Sequence, residues 1–207
     1  MPYPETNGKT KSFNLSFTVL LLVAMRALHL SAIRLLNFKN HAEQTCQFSP
    51  KINGVLGANG TGKTSLLDAI HFLSMCKSYF VGSDKLIVKK GEEQYMVQGT
   101  FEREGHEEVL LGTWREGHRK VFKRDDKAYD RLADHIGRYP VVMIAPKDHE
   151  LIDGGSEVRR RFADQVISQS DAQYLHALLR FNRLLIQRNA LLKDSGQGVA
   201  QMREMLD

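Results

Sequence analysis

The 207-residue sequence predicts an α/β fold followed by a helical section, and three successive patterns carry this prediction. An apolar run at 52–56 leads through a glycine-rich turn into an amphipathic stretch at 64–75, which predicts a strand, a loop and a helix in that order. Apolar and polar residues then alternate over 95–124, which predicts a meander of antiparallel strands. From residue 156 onward the apolar residues recur at helical spacing.

Two further strands are predicted. Residues 28–38 alternate loosely, and the apolar run 141–144 before Pro146 predicts a short buried strand. Together with 52–56 and the meander they predict a mixed sheet.

Two capped helices are predicted after the sheet. Ser156 is expected to cap a helix that runs to about residue 168, with its side-chain oxygen as the acceptor. Asp171 is expected to cap a longer helix to about residue 193. Gly196 and Gly198 are expected to end it before another helix begins at residue 199.

Composition excludes several classes of protein. The 16 glycines, 5 prolines and 26% charged residues do not fit collagen, a disulfide scaffold or a disordered polar tract. Cys46 and Cys76 lack the paired spacing of a zinc site, which favours a reduced, cytoplasmic protein. The net charge of +5 suits contact with nucleic acid, although many plain enzymes share it.

The chain divides into three predicted segments. Residues 1–26 are a polar stretch followed by an apolar run that is too short to span a bilayer, so they predict a non-native or disordered extension before a start at Met25. Residues 27–148 predict the N-terminal part of a nucleotide-binding head, and residues 149–207 predict the start of a helical lobe.

A phosphate-binding motif carries the chemistry. Its pattern, GxxxxGK[ST], lies between a predicted strand and a predicted helix, where successive N–H groups can surround phosphate oxygens. Lys63 is expected to reach the β- and γ-phosphates of ATP, and the Thr64 hydroxyl is expected to bind Mg²⁺. The motif consists of Gly57, Ala58, Asn59, Gly60, Thr61, Gly62, Lys63 and Thr64.

The residues that hydrolysis needs are missing from the sequence pattern. A Mg²⁺-holding Asp usually ends an apolar strand, but Ala145 and Pro146 follow residues 141–144 and displace Asp148 into a loop. Residues 153–156 have the wrong order for an ATP-sandwiching signature and fit a helix cap better. The sequence therefore predicts ATP binding and no catalytic residues.

Segments along most of the chain resemble known ATPases. Residues 35–40 and 57–70 resemble the start of an SMC/Rad50-type head, which is an ABC-type P-loop NTPase. The segments at 77–79, 139–148 and 155–164, with a further match over 174–193, narrow the resemblance to the RecF family of recombination mediators.

The resemblance implies a function in DNA replication, recombinational DNA repair and the response to DNA damage, including the SOS response. RecF proteins bind ATP and DNA, dimerise on ATP, and work with RecO and RecR to load recombinase at gapped DNA, without sequence preference. The resemblance makes residues 57–64 the ATP site, with Mg²⁺. The family's signature motif and its Asp-Asp/Glu strand follow the helical lobe, so the resemblance implies an incomplete head that does not hydrolyse ATP by the family's route.

Arg159, Arg160 and Arg161 form the candidate DNA contact. Three consecutive helical residues cover most of the circumference, so at least one should face solvent and another the body of the protein. They could bind backbone phosphates, or form ion pairs with Glu157 or Asp164.

Two other functions remain open from the sequence. A P-loop kinase acting on a small molecule would also use residues 57–64, with the arginines as a lid, but kinases of that type usually continue with parallel βαβ units. The third hypothesis is that the chain is an inactive fragment of a truncated gene.

Overall fold

The computed structural model describes residues 28–204, without the side chains of residue 147 and residues 194–204. The predicted extension at 1–26 lies outside the described residues. Six strands form one sheet in the order β2-β1-β3-β4-β5-β6, and every pairing is antiparallel. The strands are β1 (Leu28–Phe38), β2 (His41–Gln47), β3 (Gln94–Arg103), β4 (His106–Arg115), β5 (Val121–Arg124) and β6 (Lys127–Ala128).

The first predicted strand and the antiparallel meander are thus confirmed, and β2 is an element that the alternation pattern did not indicate. Its sequence, His-Ala-Glu-Gln-Thr-Cys-Gln, is mostly polar because β2 is an exposed edge strand. Its register on β1, with Phe38 opposite His41, makes a tight turn at Lys39 and Asn40. That turn matters for the site described below.

Within residues 28–204, four helices accompany the sheet. They are α1 (Lys63–Met75), α2 (Glu150–Asp153), α3 (Ser156–Ser170) and α4 (Ala172–Glu204), with 3₁₀ turns at Asp84–Leu86, Leu132–Asp134 and Pro146–His149. No helix within residues 28–204 combines the length and apolar character needed to cross a bilayer.

The core lies between α1 and one face of the sheet. Phe72 of α1 is fully buried, and its ring centroid lies 5.9 Å from that of Phe38, 5.4 Å from Tyr95 and 5.1 Å from Phe122. These partners come from β1, β3 and β5, so one helical residue joins three strands. Edge-to-face and tilted aromatic pairs of this kind add to the stabilisation from buried area. The packing fixes α1, and with it the segment that precedes α1.

Two predicted strands are not formed. Ile52 and Leu56 are each 93% exposed, and Val142 and Ile144 are 74% and 84% exposed. An apolar run forms a buried strand only if another strand pairs with it, and no strand in the described part of the chain pairs with either run. The prediction of strands at 52–56 and 141–144 is therefore wrong for this structure, and the sheet described is antiparallel rather than mixed.

The helical section differs from the prediction at two points. The helix α3 begins after Gly155, which is extended, and no side chain caps it; Ser156 is its first residue and not its cap. The Asp171 cap is confirmed, since its Oδ1 accepts hydrogen bonds from the backbone N–H groups of Gln173 at 2.8 Å and Tyr174 at 3.0 Å.

The last helix continues through the two glycines expected to end it. The helix α4 is a single element to Glu204 and contains Gly196 and Gly198. A glycine inside a helix costs only about 1 kcal/mol relative to alanine, and the flanking residues are mostly good helix formers, so these glycines do not terminate it.

Candidate nucleotide site

The phosphate-binding motif forms an open loop that joins the extended residues 52–56 to α1. Gly57, Gly60 and Gly62 have φ of +152°, +84° and +99°. Residues with a Cβ avoid this region, so the three glycines let the backbone fold back on itself and enter the helix. The predicted strand-to-loop-to-helix context is only half confirmed, since the helix forms and the strand does not.

Lys63 places its charge inside this loop. Its Nζ donates hydrogen bonds to the carbonyl oxygens of Gly57 at 2.8 Å and Ala58 at 2.6 Å. The Ala58 carbonyl also accepts from the Thr61 hydroxyl at 2.9 Å. The ammonium group is therefore held within the bend of the chain, which is where a cation can bind an anion that enters the loop.

The N-terminus of α1 opens onto the same place. No side chain caps this helix, and its first turn contains no acidic residue. The unpaired N–H groups and the positive end of the helix dipole favour an anion there. Thr64 is exposed, and its hydroxyl makes no hydrogen bond to another described residue. The loop and helix end line a shallow depression of about 400 Å³.

A second segment, the β1–β2 turn, completes the wall of the depression and was missed from the sequence. Asn40 Nδ2 donates to the Gly60 carbonyl at 3.2 Å, and His41 Nε2 lies 3.1 Å from the Gly62 carbonyl. Lys39 of the same turn also lines the depression. No spacing rule marks such residues, because they lie about twenty positions before the loop they contact.

Asp148, the acidic residue displaced from the end of the run 141–144, uses both carboxylate oxygens in hydrogen bonds within the protein. One of its carboxylate oxygens accepts a hydrogen bond from the Tyr79 hydroxyl, and the other accepts from the backbone N–H of Ala145 at 2.6 Å. Burial, followed by the hydrogen bond and negative charge of Asp148, raises the pKa of Tyr79 to about 12. Among the described residues, no group of three or more His, Cys, Asp or Glu side chains could hold a metal ion.

The three arginines of α3 are all exposed, so the expectation that one would face the body of the protein is wrong. Arg159 donates to the Gly154 carbonyl at 2.8 Å, Arg160 to the Ser156 hydroxyl at 3.3 Å, and Arg161 pairs with Glu157 at 2.7 Å. These contacts stay at the start of α3, which packs only lightly on its neighbours and buries Ser168 alone. No contact in the described part joins the arginines to residues 57–64.

Sequence comparison identifies the family. The pattern described as an AAA domain matches residues 32–190. The DNA replication and repair protein RecF of Parabacteroides distasonis is 48% identical over 178 residues, which are 86% of this chain and 48% of the relative. The RecF of Phocaeicola vulgatus is 50% identical, over 79% of this chain and 44% of the relative. The chain thus spans about half the length of the relatives it matches.

Solved structures give the same result. A structure of the recombination mediator protein RecF with ATP in the RecFOR pathway superposes with a TM-score of 0.74 and 31% identity, over 81% of this chain and 47% of the other. A structure from a study of ATP-driven dimerisation of SMC ATPases superposes with a TM-score of 0.52 at 20% identity, over 69% of this chain and 99% of the other. The second shows a shared fold alone. The resemblance to RecF and the P-loop head fold are confirmed.

Proposed function

Because the chain belongs to the AAA domain family and is similar to RecF over most of its length, we propose that it binds ATP, with Mg²⁺, and DNA in replication and recombinational repair. The observation that carries the proposal is the phosphate loop, in which Lys63 and the uncapped start of α1 face one depression. By analogy with RecF, its further partners are RecO, RecR and a second copy of the chain, and its place is the cytoplasm.

The residues present fit a nucleoside triphosphate. The glycine-rich bend supplies backbone N–H groups, Lys63 supplies a positive charge for the β- and γ-phosphates, and the exposed Thr64 hydroxyl is free to bind Mg²⁺. The ion would neutralise phosphate charge that the protein's own cations leave unpaired. The described residues offer no carboxylate at this depression, so we propose binding without rapid hydrolysis.

Replacement of Lys63 tests the nucleotide site. Lys63→Ala should weaken ATP binding about 10- to 100-fold, the loss expected for about 1.5–3 kcal/mol of charge-assisted hydrogen bonding. The matched control is Lys77→Ala, an exposed lysine just beyond the other end of α1. Isothermal titration calorimetry with ATP and Mg²⁺ measures both variants. An unchanged Kd in Lys63→Ala, or an equal loss in Lys77→Ala, would contradict the proposed site.

The DNA part of the proposal rests on the exposed arginines of α3. Each phosphate contact should release counterions, so loss of one should lower the slope of log K against log salt by about 1. Arg160→Ala is the test, since Arg160 has no ion pair within the described residues, and Arg119→Ala on the β4–β5 turn is the exposed control. Binding to gapped duplex DNA at several salt concentrations, with and without ATP, decides the matter. Equal slopes for both variants and the unchanged chain would remove α3 from the DNA contact.

The alternative functions predict other outcomes of the same experiments. A small-molecule kinase would transfer phosphate from ATP to a metabolite, and Lys63→Ala would abolish that transfer. An inactive fragment would bind neither ATP nor DNA. The antiparallel sheet after α1 argues against the kinase, since kinases of this type continue with parallel units.

A further inference from the structure

Asp68 is a buried charge at the centre of α1. Its side chain is fully buried, and a buried carboxylate destabilises a fold strongly unless charged or hydrogen-bonding groups surround it. Its Oδ2 lies 2.6 Å from Lys39 Nζ and accepts a hydrogen bond from the Ser78 hydroxyl at 2.6 Å. Its Oδ1 accepts from the backbone N–H of Tyr79 at 2.7 Å. Asp68 therefore binds two separate segments, the β1–β2 turn and the loop that follows α1.

Lys39 is fixed at both ends. Its backbone is in the left-handed region, with φ of +53°, and its N–H donates to the Ile87 carbonyl at 2.6 Å. Its ammonium group contacts Asp68 and lies 5.0 Å from the centroid of the Phe80 ring, which adds a cation–π interaction. Only 17% of the side chain is exposed. These contacts hold the turn that contains Lys39 in place against α1.

The same turn is in contact with the phosphate loop. Asn40 and His41, the next two residues, contact the carbonyl groups of Gly60 and Gly62. The fit is close, since a Cβ added to Gly62 would lie 2.5 Å from the His41 ring. Asp68 itself does not line the depression. The contact of Asp68 with Lys39 links it to the turn that touches the loop.

We propose that Asp68 is a positioning residue of the phosphate loop, which it holds in place through Lys39 and the contacts of Asn40 and His41. The proposal deepens the proposed function, because a loop held in one conformation binds a nucleotide without the entropic cost of ordering it. A role confined to core stability would instead affect the whole fold evenly.

The chain contains a matched control pair. Lys120 Nζ lies 2.9 Å from the Asp84 carboxylate, its side chain is 15% exposed, and it lies 5.7 Å from the centroid of the Phe72 ring. This pair has the same chemistry as Lys39–Asp68, and Lys120 is about as buried as Lys39, although the Asp84 side chain is 25% exposed where Asp68 is fully buried. Lys120 does not line the depression. Lys120→Met should therefore lower stability as Lys39→Met does, and should leave the phosphate loop unchanged.

Hydrogen exchange on the nucleotide-free chain tests the positioning directly. In Lys39→Met, amide exchange should rise at least tenfold in residues 39–41 and 57–64, and much less in β3 and β4. Lys120→Met should not show this local pattern. If both variants give the same pattern, or if exchange in 57–64 is unchanged in Lys39→Met, the proposal is wrong. This measurement does not depend on ATP, so it decides the proposal even if the chain binds no nucleotide and the proposed function fails.

A double-mutant cycle on ATP affinity tests the route. Lys39→Met and Asp68→Asn should each weaken ATP binding about tenfold, and the double variant should be no more than about twofold weaker than Lys39→Met alone, because both act through one contact. Additive losses, or wild-type affinity in a folded Asp68→Asn, would overturn the proposal. If Asp68→Asn alone does not fold, the exchange pattern of Lys39→Met decides, together with its ATP affinity.

Discussion

Replacement of Gly62 by alanine separates two costs at the phosphate loop, the cost of backbone strain and the cost of a blocked contact. Gly62 has φ of +99°, and an added Cβ would lie 2.5 Å from the His41 ring and 2.8 Å from Asn40 Nδ2. Gly60, two residues earlier, has φ of +84° but has open space at the Cβ position. The two glycines therefore share the strain and differ in the contact.

The expected magnitudes follow from these distances. A left-handed backbone costs about 1–2 kcal/mol for alanine, which applies to both variants. In Gly62→Ala the His41 and Asn40 side chains must also move, which breaks their hydrogen bonds to the loop at about 0.5–1 kcal/mol each. Gly60→Ala should lower the free energy of unfolding by about 1–2 kcal/mol, and Gly62→Ala by about 2–4 kcal/mol.

Urea unfolding followed by circular dichroism measures both values, and Gly105→Ala in the β3–β4 turn is the distant control. Its φ is +81° and its Cβ would also meet nothing within 4 Å. Gly105→Ala and Gly60→Ala should lose similar stability, and only Gly62→Ala should lose more. Equal losses at Gly60 and Gly62 would refute the conclusion that the β1–β2 turn packs against the phosphate loop.

Three further outcomes are expected. Phe72→Ala should lower the free energy of unfolding by about 3–5 kcal/mol, because it removes the ring that joins three strands to α1; a loss under about 1 kcal/mol in urea unfolding would contradict that packing. Burial lowers the pKa of His135 below 6.5, so between the folded pKa and 6.5 the unfolded chain binds more protons than the folded chain, and the free energy of unfolding falls as the pH drops through this range. His135→Gln should therefore flatten the dependence of the urea midpoint on pH between pH 7 and pH 5. An unchanged dependence would contradict the buried, neutral state of His135. The pKa of Tyr79 is raised from 10 to about 12, so the contribution of its protonated hydroxyl to the free energy of unfolding is present below pH 10 and is lost as the pH rises through 12. Stability should therefore fall less steeply at alkaline pH in Tyr79→Phe. A fall as steep as in the unchanged chain would be evidence against the Tyr79–Asp148 contact.

The fold was predictable from sequence where neighbours in the chain are also neighbours in space. The meander over 95–124 forms as expected, since each of its strands pairs with the strand that follows it. The strand at 28–38 also forms, between β2, which follows it directly, and β3, which is distant in sequence. The runs at 52–56 and 141–144 have similar apolar patterns but no partner strand among the described residues, so they remain extended and exposed. Apolarity indicates that a segment can be buried, and it does not show what would cover it.

The candidate site divides in the same way. Residues 57–64 were recognisable because the spacing of Gly, Lys and Thr within one loop follows from the chemistry of phosphate binding. The turn at Lys39, Asn40 and His41 and the buried Asp68 were not recognisable, since their roles depend on contacts between segments that are distant in sequence. Asp68 in particular lies within a helical pattern, where a lone acidic residue usually indicates a solvent-exposed position.

The phosphate loop therefore does not hold its shape by its own residues alone. Its backbone receives two contacts from the β1–β2 turn, and the turn is fixed in register by β1, which is the second strand of the sheet. The other support comes from α1, which packs on the sheet through Phe72 and binds the same turn through Asp68. Because the turn and α1 meet at the Lys39–Asp68 pair, the loop, α1 and the turn each contact the other two. A change at any one of these contacts should loosen the loop while the sheet stays folded, which makes local exchange in residues 57–64 a more direct measure of the site than overall stability.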